Sequence, residues 1–331
     1  MTLPSLVWVI GQGGLLGSAL RRTMSQEQGY QVWEPATLVQ CSWNDPIRLE
    51  QEWKAMLSAF LEEARRNVQP WTILWAAGAS TIAAPNAQFE QETASWNTLL
   101  HLLDEALVMP SPRGMLFFSS SAGSIYGNAY RAAFTEQSPC HPLSTYGRHK
   151  LLQESALHTW AVGHPTVSCL IGRISTLYGP RQNLHKAQGI ISHMSRCIIH
   201  RQPIHIYVPL DTIRDYYHAD DCAKQIVLCL NRLQEIPGGS VITKILASEQ
   251  VTSLAQIVGV FATITKKHPQ IICSATSLRT QHPRLIRFRS TQWPELRVTP
   301  IALIDGIARI HRHQGLLYAA GQMQQIASPA R

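Results

Sequence analysis

The sequence predicts an α/β fold, a doubly wound parallel sheet with a smaller lobe towards the C-terminal end. Three observations carry this expectation. Short β-rich runs alternate with helical stretches through the first two-thirds of the 331 residues, the pattern of a parallel sheet covered by helices. A glycine-rich turn, Gly11-Gln-Gly-Gly-Leu-Leu-Gly17, follows directly on the apolar run Leu6-Val-Trp-Val-Ile10. After about residue 180 the alternation loosens and an arginine-rich segment follows.

In chain order, the unbroken apolar run at Leu6–Ile10 reads as a first, buried strand, and the glycine turn hands the chain to a helix over Leu15–Met24. Two short strands are expected at Gln31–Glu34 and Leu38–Cys41, then a long helix over Arg48–Asn67. Thr72–Trp75 and Gly114–Ser119 are apolar and β-rich, so they read as strands on either side of a helix at Glu90–Leu107. A helix at Tyr146–Val162 leads to a strand at Val167–Ile171. Beyond these come helices at Gln188–His200, Ala219–Leu233 and Leu254–Lys266, with strands at Ile204–Tyr207 and Val241–Leu246. The expected division is a nucleotide-binding half over 1–178, with 204–235 returning to it, and a substrate-binding lobe over the rest of 179–331.

Composition narrows the function classes. Apolar residues make up 45% and charged ones 15%, which suits a large packed core and excludes a disordered chain. The net charge of +8 is not gathered into runs of one sign, so a basic cleft for a small anion is expected rather than a nucleic-acid surface. From residue 271 onward there are eight Arg and two acids, with Arg279, Arg284, Arg287, Arg289 and Arg297 close together. The seven cysteines form no Cys-x-x-Cys and no zinc spacing, and read as buried apolar residues of a reducing, cytoplasmic compartment. His311 and His313 are expected at an exposed helix end, with no metal site. The apolar N-terminus lacks a basic flank and is cut short by glycines, so neither a signal peptide nor a membrane span is expected.

The chemistry sits in three places. Gly11, Gly14 and Gly17 allow a tight strand-to-helix turn, close approach of backbone N–H groups to a pyrophosphate, and close packing of helix on strand. That is the phosphate cradle of a Rossmann-type sheet. Without a Gly-Lys-Ser/Thr, it is no nucleoside-triphosphate loop. A carboxylate for the adenosine ribose belongs at the end of the second strand; Glu34 is the candidate. No Arg or Lys lies in that strand end, which favours NAD, with NADP as the alternative. Tyr146 and Lys150 lie one helical turn apart, where a lysine ammonium favours the phenolate and brings tyrosine towards useful base strength. Ser121, at the end of the strand beside that helix, has a hydroxyl suited to binding the same substrate oxygen. Ser119, Ser120 and Ser124 compete for that role.

Together these motifs resemble the extended short-chain dehydrogenase/reductases of the NAD-dependent epimerase/dehydratase group. The likeness adds Trp75-Ala-Ala-Gly78, Ser119-Ser-Ser-Ala-Gly-Ser-Ile-Tyr-Gly127, Arg173-Ile-Ser-Thr-Leu-Tyr-Gly-Pro180, Arg214-Asp-Tyr-Tyr-His-Ala-Asp-Asp221 and Thr299–Gly306, and runs from about residue 6 to 312. The resemblance implies Tyr146 as acid/base, Lys150 on the nicotinamide ribose and Ser121 orienting substrate. It places Leu15, Ala76, Ala77 and Gly78 with the glycines around NAD, and Ser124, Thr176 and Arg214 around a nucleotide sugar. It also implies a homodimer through the helices at Glu90–Leu107 and Tyr146–Val162.

Departures restrict the reaction. Ala122 and Gly123 follow Ser121 where the group's 4,6-dehydratases carry Asp and Glu, and its decarboxylating members also need a Glu there. The catalytic Cys of GDP-fucose synthase is missing, although Gly17-Ser-Ala-Leu-Arg-Arg22 is similar to that enzyme's first turn. Thr176 and Ser95 stand near positions where many members have Asn. Ser, Tyr and Lys alone support reversible oxidation of a sugar hydroxyl, so the first expectation is a nucleotide-sugar 4-epimerase. An NAD(P)H-dependent 4-keto-sugar reductase is the second. A non-catalytic dinucleotide-binding regulator is the third.

Overall fold

The structure, a computed structural model, describes residues 3–35, 41–78, 84–127, 133–182, 189–273 and 284–323. Its frame is a six-stranded sheet in the order β2-β1-β3-β4-β5-β9, formed by β1 (Ser5–Ile10), β2 (Tyr30–Val32), β3 (Trp71–Trp75), β4 (Gly114–Ser121), β5 (Val167–Ile174) and β9 (Val241–Leu246). Every pairing in it is parallel, so all six carboxyl ends lie along one edge. The order runs outward from β1 in both directions, which is the doubly wound arrangement expected.

The two faces are filled differently. One is covered by α2 (Pro46–Arg66), α3 (Asn86–Ala106) and α5 (Thr145–Val162), over a core rich in rings. Trp8, Trp33 and Phe60 meet within 6 Å, as do Trp53, Trp75, Trp96 and Phe118 in sequence. Each such side chain removes a large apolar area from water, on the order of 1.5–3 kcal/mol apiece. The other face is covered by α1 (Leu15–Met24) and α7 (Ala219–Gln234), over a mainly aliphatic core of Val7, Val9, Leu20, Leu170, Ile226 and Leu230.

Local chemistry explains boundaries that apolar periodicity alone misses. Asp45 caps α2 by accepting from the Arg48 N–H at 3.1 Å, and Pro46 fills its first turn, so the helix begins two residues before the expected Arg48. Ser144 caps α5 through the Gly147 N–H at 3.1 Å. α3 begins at Asn86, a turn ahead of Glu90. The strand expected at Leu38–Cys41 is not confirmed: Cys41 is not in a strand, and residues 38–40 lie outside the described residues.

The lobe contains strands that the sequence did not announce. β8 (Ile213–His218) lies between β6 (Thr176–Tyr178), parallel, and β10 (Val251–Ser253), antiparallel. β7 (Ile204–Ile206) pairs with β11 (Ile271–Cys273) outside the main sheet. A short α4 (Ala122–Ile125) follows β4, while α6 (Ile190–Ile199), α8 (Leu254–Thr265) and α9 (Leu303–Ala319) pack around Met194, Ile257, Phe261 and Ile310. His311 corrects the expectation of an exposed helix end. It lies within α9, half-buried against Phe261, and its Nδ1 pairs with the Ser195 hydroxyl at 3.0 Å. Among the described residues no group of His, Cys, Asp or Glu could hold a metal, and no helix is long and apolar enough to cross a membrane. The cysteines are free; Cys273 is exposed, against the expectation that all are buried.

Candidate active site

The carboxyl edge of the sheet gathers the predicted residues at two points. At β1 the chain turns through Gly11, whose φ of +90° lies in the left-handed region. A side chain there would strike the Ala77 backbone nitrogen, 2.6 Å from the ideal Cβ position. Gly17 allows an even closer approach: its Cβ would fall 2.1 Å from the Gly11 carbonyl. Gly14 caps α1, its N–H donating to the Gly11 carbonyl at 2.9 Å, and Leu15 opens the helix. Ala76 is tied to β1 through its N–H to the Ile10 carbonyl at 2.9 Å, so Ala76, Ala77 and Gly78 form the neighbouring rim.

Glu34 stands just beyond β2, but it is not alone there. Arg21 of α1 reaches up and donates to its carboxylate through both Nε, at 3.1 Å, and a terminal nitrogen, at 2.5 Å. This cation is not part of the strand end; it arrives from the adjacent helix.

The second point lies at β4, two strands from β1 and so roughly 10 Å across the sheet. Strand alternation sorts the serine cluster. Ser119 and Ser121 are half-buried on one face, whereas Ser120 turns the other way and donates to Glu154 at 2.6 Å. Ser124 is buried, with its hydroxyl directed at the Ser121 carbonyl at 3.4 Å. Tyr146 and Lys150 project from the first turns of α5 towards this strand end. Lys150 is buried, donates to the Ser119 carbonyl at 3.3 Å, and lies 5.1 Å from the Phe118 ring centre and 5.8 Å from that of Tyr146. The Ser121 side chain lies near enough to the Tyr146 phenol to lower its pKa. The structure therefore brings Ser121, Tyr146 and Lys150 together.

The electrostatics differ from expectation. Burial pushes the Tyr146 phenol well above its ordinary value, and the Glu92 carboxylate on α3 raises it further; only Ser121 works the other way. Burial also lowers Lys150, against the pull of Glu92 and Glu154. The expected base-strengthening by Lys150 is not seen, and loss of water around both groups disfavours their charged forms. Glu92 was not singled out in the sequence. It lies three residues after Phe89, whose ring meets those of Tyr146 and His149, and its helical spacing is the one signal that places it there.

Behind β4 lies a buried ion pair. Arg173 of β5 forks onto Glu154 of α5, with contacts at 2.6 and 3.0 Å, and donates to the Tyr126 hydroxyl at 2.7 Å. The pair fixes α5, and with it the tyrosine and lysine, against the strand end.

On the lobe side, Thr176 begins β6 opposite Tyr216 of β8, half-buried. Arg214 of β8 is half-buried and donates to the Ile213 carbonyl at 2.8 Å and the Arg284 carbonyl at 3.3 Å. It joins no ion pair among the described residues, and burial lowers its pKa. A guanidinium short of water and without a carboxylate suits an external anion. The late arginines do not act as one cluster. Arg284 pairs with Asp211 at 3.3 Å and Arg297 with Glu249 at 3.0 Å, whereas Arg287 and Arg289 are exposed on either side of buried Phe288. Arg279 lies outside the described residues.

The profile of the NAD dependent epimerase/dehydratase family matches residues 7–263. A dTDP-L-rhamnose 4-epimerase of Burkholderia thailandensis is 29% identical over 133 residues, 40% of this chain and 36% of that protein. A dTDP-4-dehydro-6-deoxyglucose reductase of Escherichia coli is 29% identical over 137 residues, 41% of this chain and 42% of the reductase. The chain thus matches about two-fifths of the length of these relatives. A UDP-glucuronic acid 4-epimerase from Bacillus cereus, solved with UDP-glucuronic acid and NAD, superposes with a TM-score of 0.73 at 17% identity, covering 96% of this chain and all of that one. At that identity the likeness shows the fold.

Proposed function

Because the chain belongs to the NAD dependent epimerase/dehydratase family, we propose that it is a nucleotide-sugar epimerase of the 4-epimerase type, working through Ser121, Tyr146 and Lys150. The observation that carries the reading is the meeting of these three side chains at the β4 end, about one dinucleotide's reach from the glycine turn.

The residues at β1 fit NAD. The turn through Gly11, Gly14, Leu15 and Gly17 presents a helix N-terminus to the pyrophosphate, and any side chain at Gly11 or Gly17 would collide with backbone. Glu34 takes the adenosine ribose, while Ala76, Ala77 and Gly78 line the path towards β4. NADP is the alternative, and Arg21 is the cation a ribose phosphate would draw on. NAD held by these residues would supply the hydride acceptor for the sugar carbon and the hydride donor for its return. Tyr146 takes the hydroxyl proton and later restores it, Ser121 holds the same oxygen, and Lys150 binds the nicotinamide ribose. Epimerisation also requires the keto sugar to turn about its diphosphate and present its other face. Ser124 and Thr176 flank the sugar, and Arg214 holds the diphosphate. We place the nucleotide-binding half at 1–178 with the returning segment at about 219–246, since α7 and β9 belong to the main sheet's unit and β7 does not. A homodimer would form on the outer faces of α3 and α5, where Leu152 and Val162 are exposed.

Calorimetric titration of UDP, dTDP and GDP into the NAD-loaded protein tests the substrate class. At least one should bind more tightly than ~1 mM, and Arg214→Ala should weaken it about tenfold while leaving NAD affinity unchanged. If none binds the wild-type protein, the nucleotide-sugar reading fails. A second reading, a one-way 4-keto-sugar reductase, is favoured by the raised Tyr146 phenol, which suits donating a proton to a ketone. Stoichiometric consumption of free NAD(P)H with a keto sugar, instead of retained NAD, would select it.

A further inference from the structure

We propose that His218 is a cofactor-binding residue, its Nε2–H donating to the pyrophosphate of the bound dinucleotide. The proposal rests on the reading of the Gly11–Gly17 turn as the NAD cradle. It adds a side-chain donor to an end of the site otherwise built from backbone.

The residue stands where three elements converge. His218 ends β8 and caps α7, which lies with α1 on one face of the main sheet. Arg22 of α1 pairs with Asp220 of α7 at 2.6 Å and ties the two helices together. Gly179, just after β6, fills the space between their starts. A Cβ built on it would lie 3.1 Å from Leu15 Cδ1, 3.5 Å from Ala219 Cβ and 3.9 Å from His218 Nε2. The imidazole nitrogen therefore faces the first residue of α1 across a bare glycine.

The cap decides which nitrogen donates. The Asp220 backbone N–H donates to Nδ1 at 3.2 Å, so Nδ1 keeps its lone pair and Nε2 carries the hydrogen. His218 is 2% exposed, and its Nε2 is shielded from solvent with no partner among the described residues. A buried N–H is expected to find an acceptor. The acceptor that suits this place is an anion. α1 starts at Gly14 without a side-chain cap and has no acid in its first turn, so its own side chains leave its positive end unmatched. A phosphate at that helix start meets the Nε2–H as well. The anion site assigned to Arg214 is a separate one, four residues back along β8 and so roughly 13 Å away. One strand thus serves the cofactor at one end and the substrate diphosphate at the other.

Calorimetric titration of ADP-ribose and of UDP distinguishes the two diphosphate sources. His218→Asn keeps a capping side chain for α7 and removes the Nε2 donor. It should weaken ADP-ribose about tenfold or more, since a hydrogen bond to a charged acceptor is lost, and leave UDP unchanged. His218→Ser, another capping residue, takes its place should the Asn protein not fold. A second readout is one that a merely structural role would not move. In nitrogen-15 histidine spectra, the resonance missing from the variant should show the Nε2–H tautomer, and ADP-ribose should move its proton downfield. Undiminished ADP-ribose affinity in a folded variant, an Nδ1–H tautomer, or a loss confined to UDP each overturns the proposal. Wild-type protein that binds neither ADP-ribose nor NAD would instead defeat the cofactor reading, and the proposal with it.

Discussion

The two ends of the candidate site are built from different materials. At β1 the chemistry is carried by the backbone: glycines turn the chain, and atoms of Gly11, Gly17 and Ala77 lie too close for any side chain. At β4 it is carried by side chains, with buried charges behind them. Lys150 has Glu92 and Glu154 nearby, and Glu154 in turn grips Arg173. A backbone site is fixed once the chain has turned. A side-chain site can be tuned by residues a helix away, and its behaviour depends on how buried charges balance.

Breaking the backbone end should have the largest effect. Gly17→Val forces carbon into the Gly11 carbonyl, so NAD binding should disappear in calorimetry and stability should drop by about 3 kcal/mol. Undiminished NAD affinity would show that close packing is not what makes that end work. At the other end, Tyr146→Phe should leave NAD affinity intact and cut turnover ~10²–10⁴-fold on a verified nucleotide sugar. Near-normal turnover would remove Tyr146 from the chemistry.

Glu154→Gln strands the Arg173 charge in the interior, at a cost of about 3–5 kcal/mol in urea unfolding. Exchanging both members for apolar residues should restore most of that loss. If the single change is silent, the fixing of α5 by this pair must be abandoned.

The smallest effect tests whether buried charge also matters on the lobe side. Asp215 of β8 is 1% exposed and held by Ser175 and Ser248 at 2.7 and 3.0 Å, and burial lifts its pKa from 3.8 to about 6. The folded state therefore holds this proton more tightly than the unfolded chain. Its stabilising contribution is complete below about pH 4 and is lost as the pH rises to about 6, up to about 3 kcal/mol in all. Asp215→Asn should flatten the stability curve between those values. Denaturant titrations of both proteins at pH 4 and 7 would show whether it does.

The same contrast explains what could be read in advance. The main sheet was legible because continuous apolar strands and the glycine turn each imply one local structure. Ser121, Tyr146 and Lys150 stood out by type and spacing. Three things did not. The lobe strands β6, β10 and β11 span three residues each, and β8 bears Arg214, Asp215 and His218, so no alternation separates them from loops. Arg21 reaches Glu34 from 13 positions away, and Arg284 and Arg297 lose their freedom to Asp211 and Glu249, pairings set by tertiary structure. The direction of the Tyr146 shift depends on burial, which the Tyr-x-x-x-Lys spacing does not reveal.

The file of rings beneath the site has an optical consequence. Trp53, Trp75 and Trp96 stand 5.7 and 5.0 Å apart, and Phe118 carries the contact on to Lys150. Buried indoles emit in the near ultraviolet, where reduced nicotinamide absorbs and oxidised nicotinamide does not. Excitation absorbed in this column would therefore pass to a reduced cofactor bound over the strand ends, and would be kept with the cofactor oxidised. Such a column would report cofactor turnover without an added label.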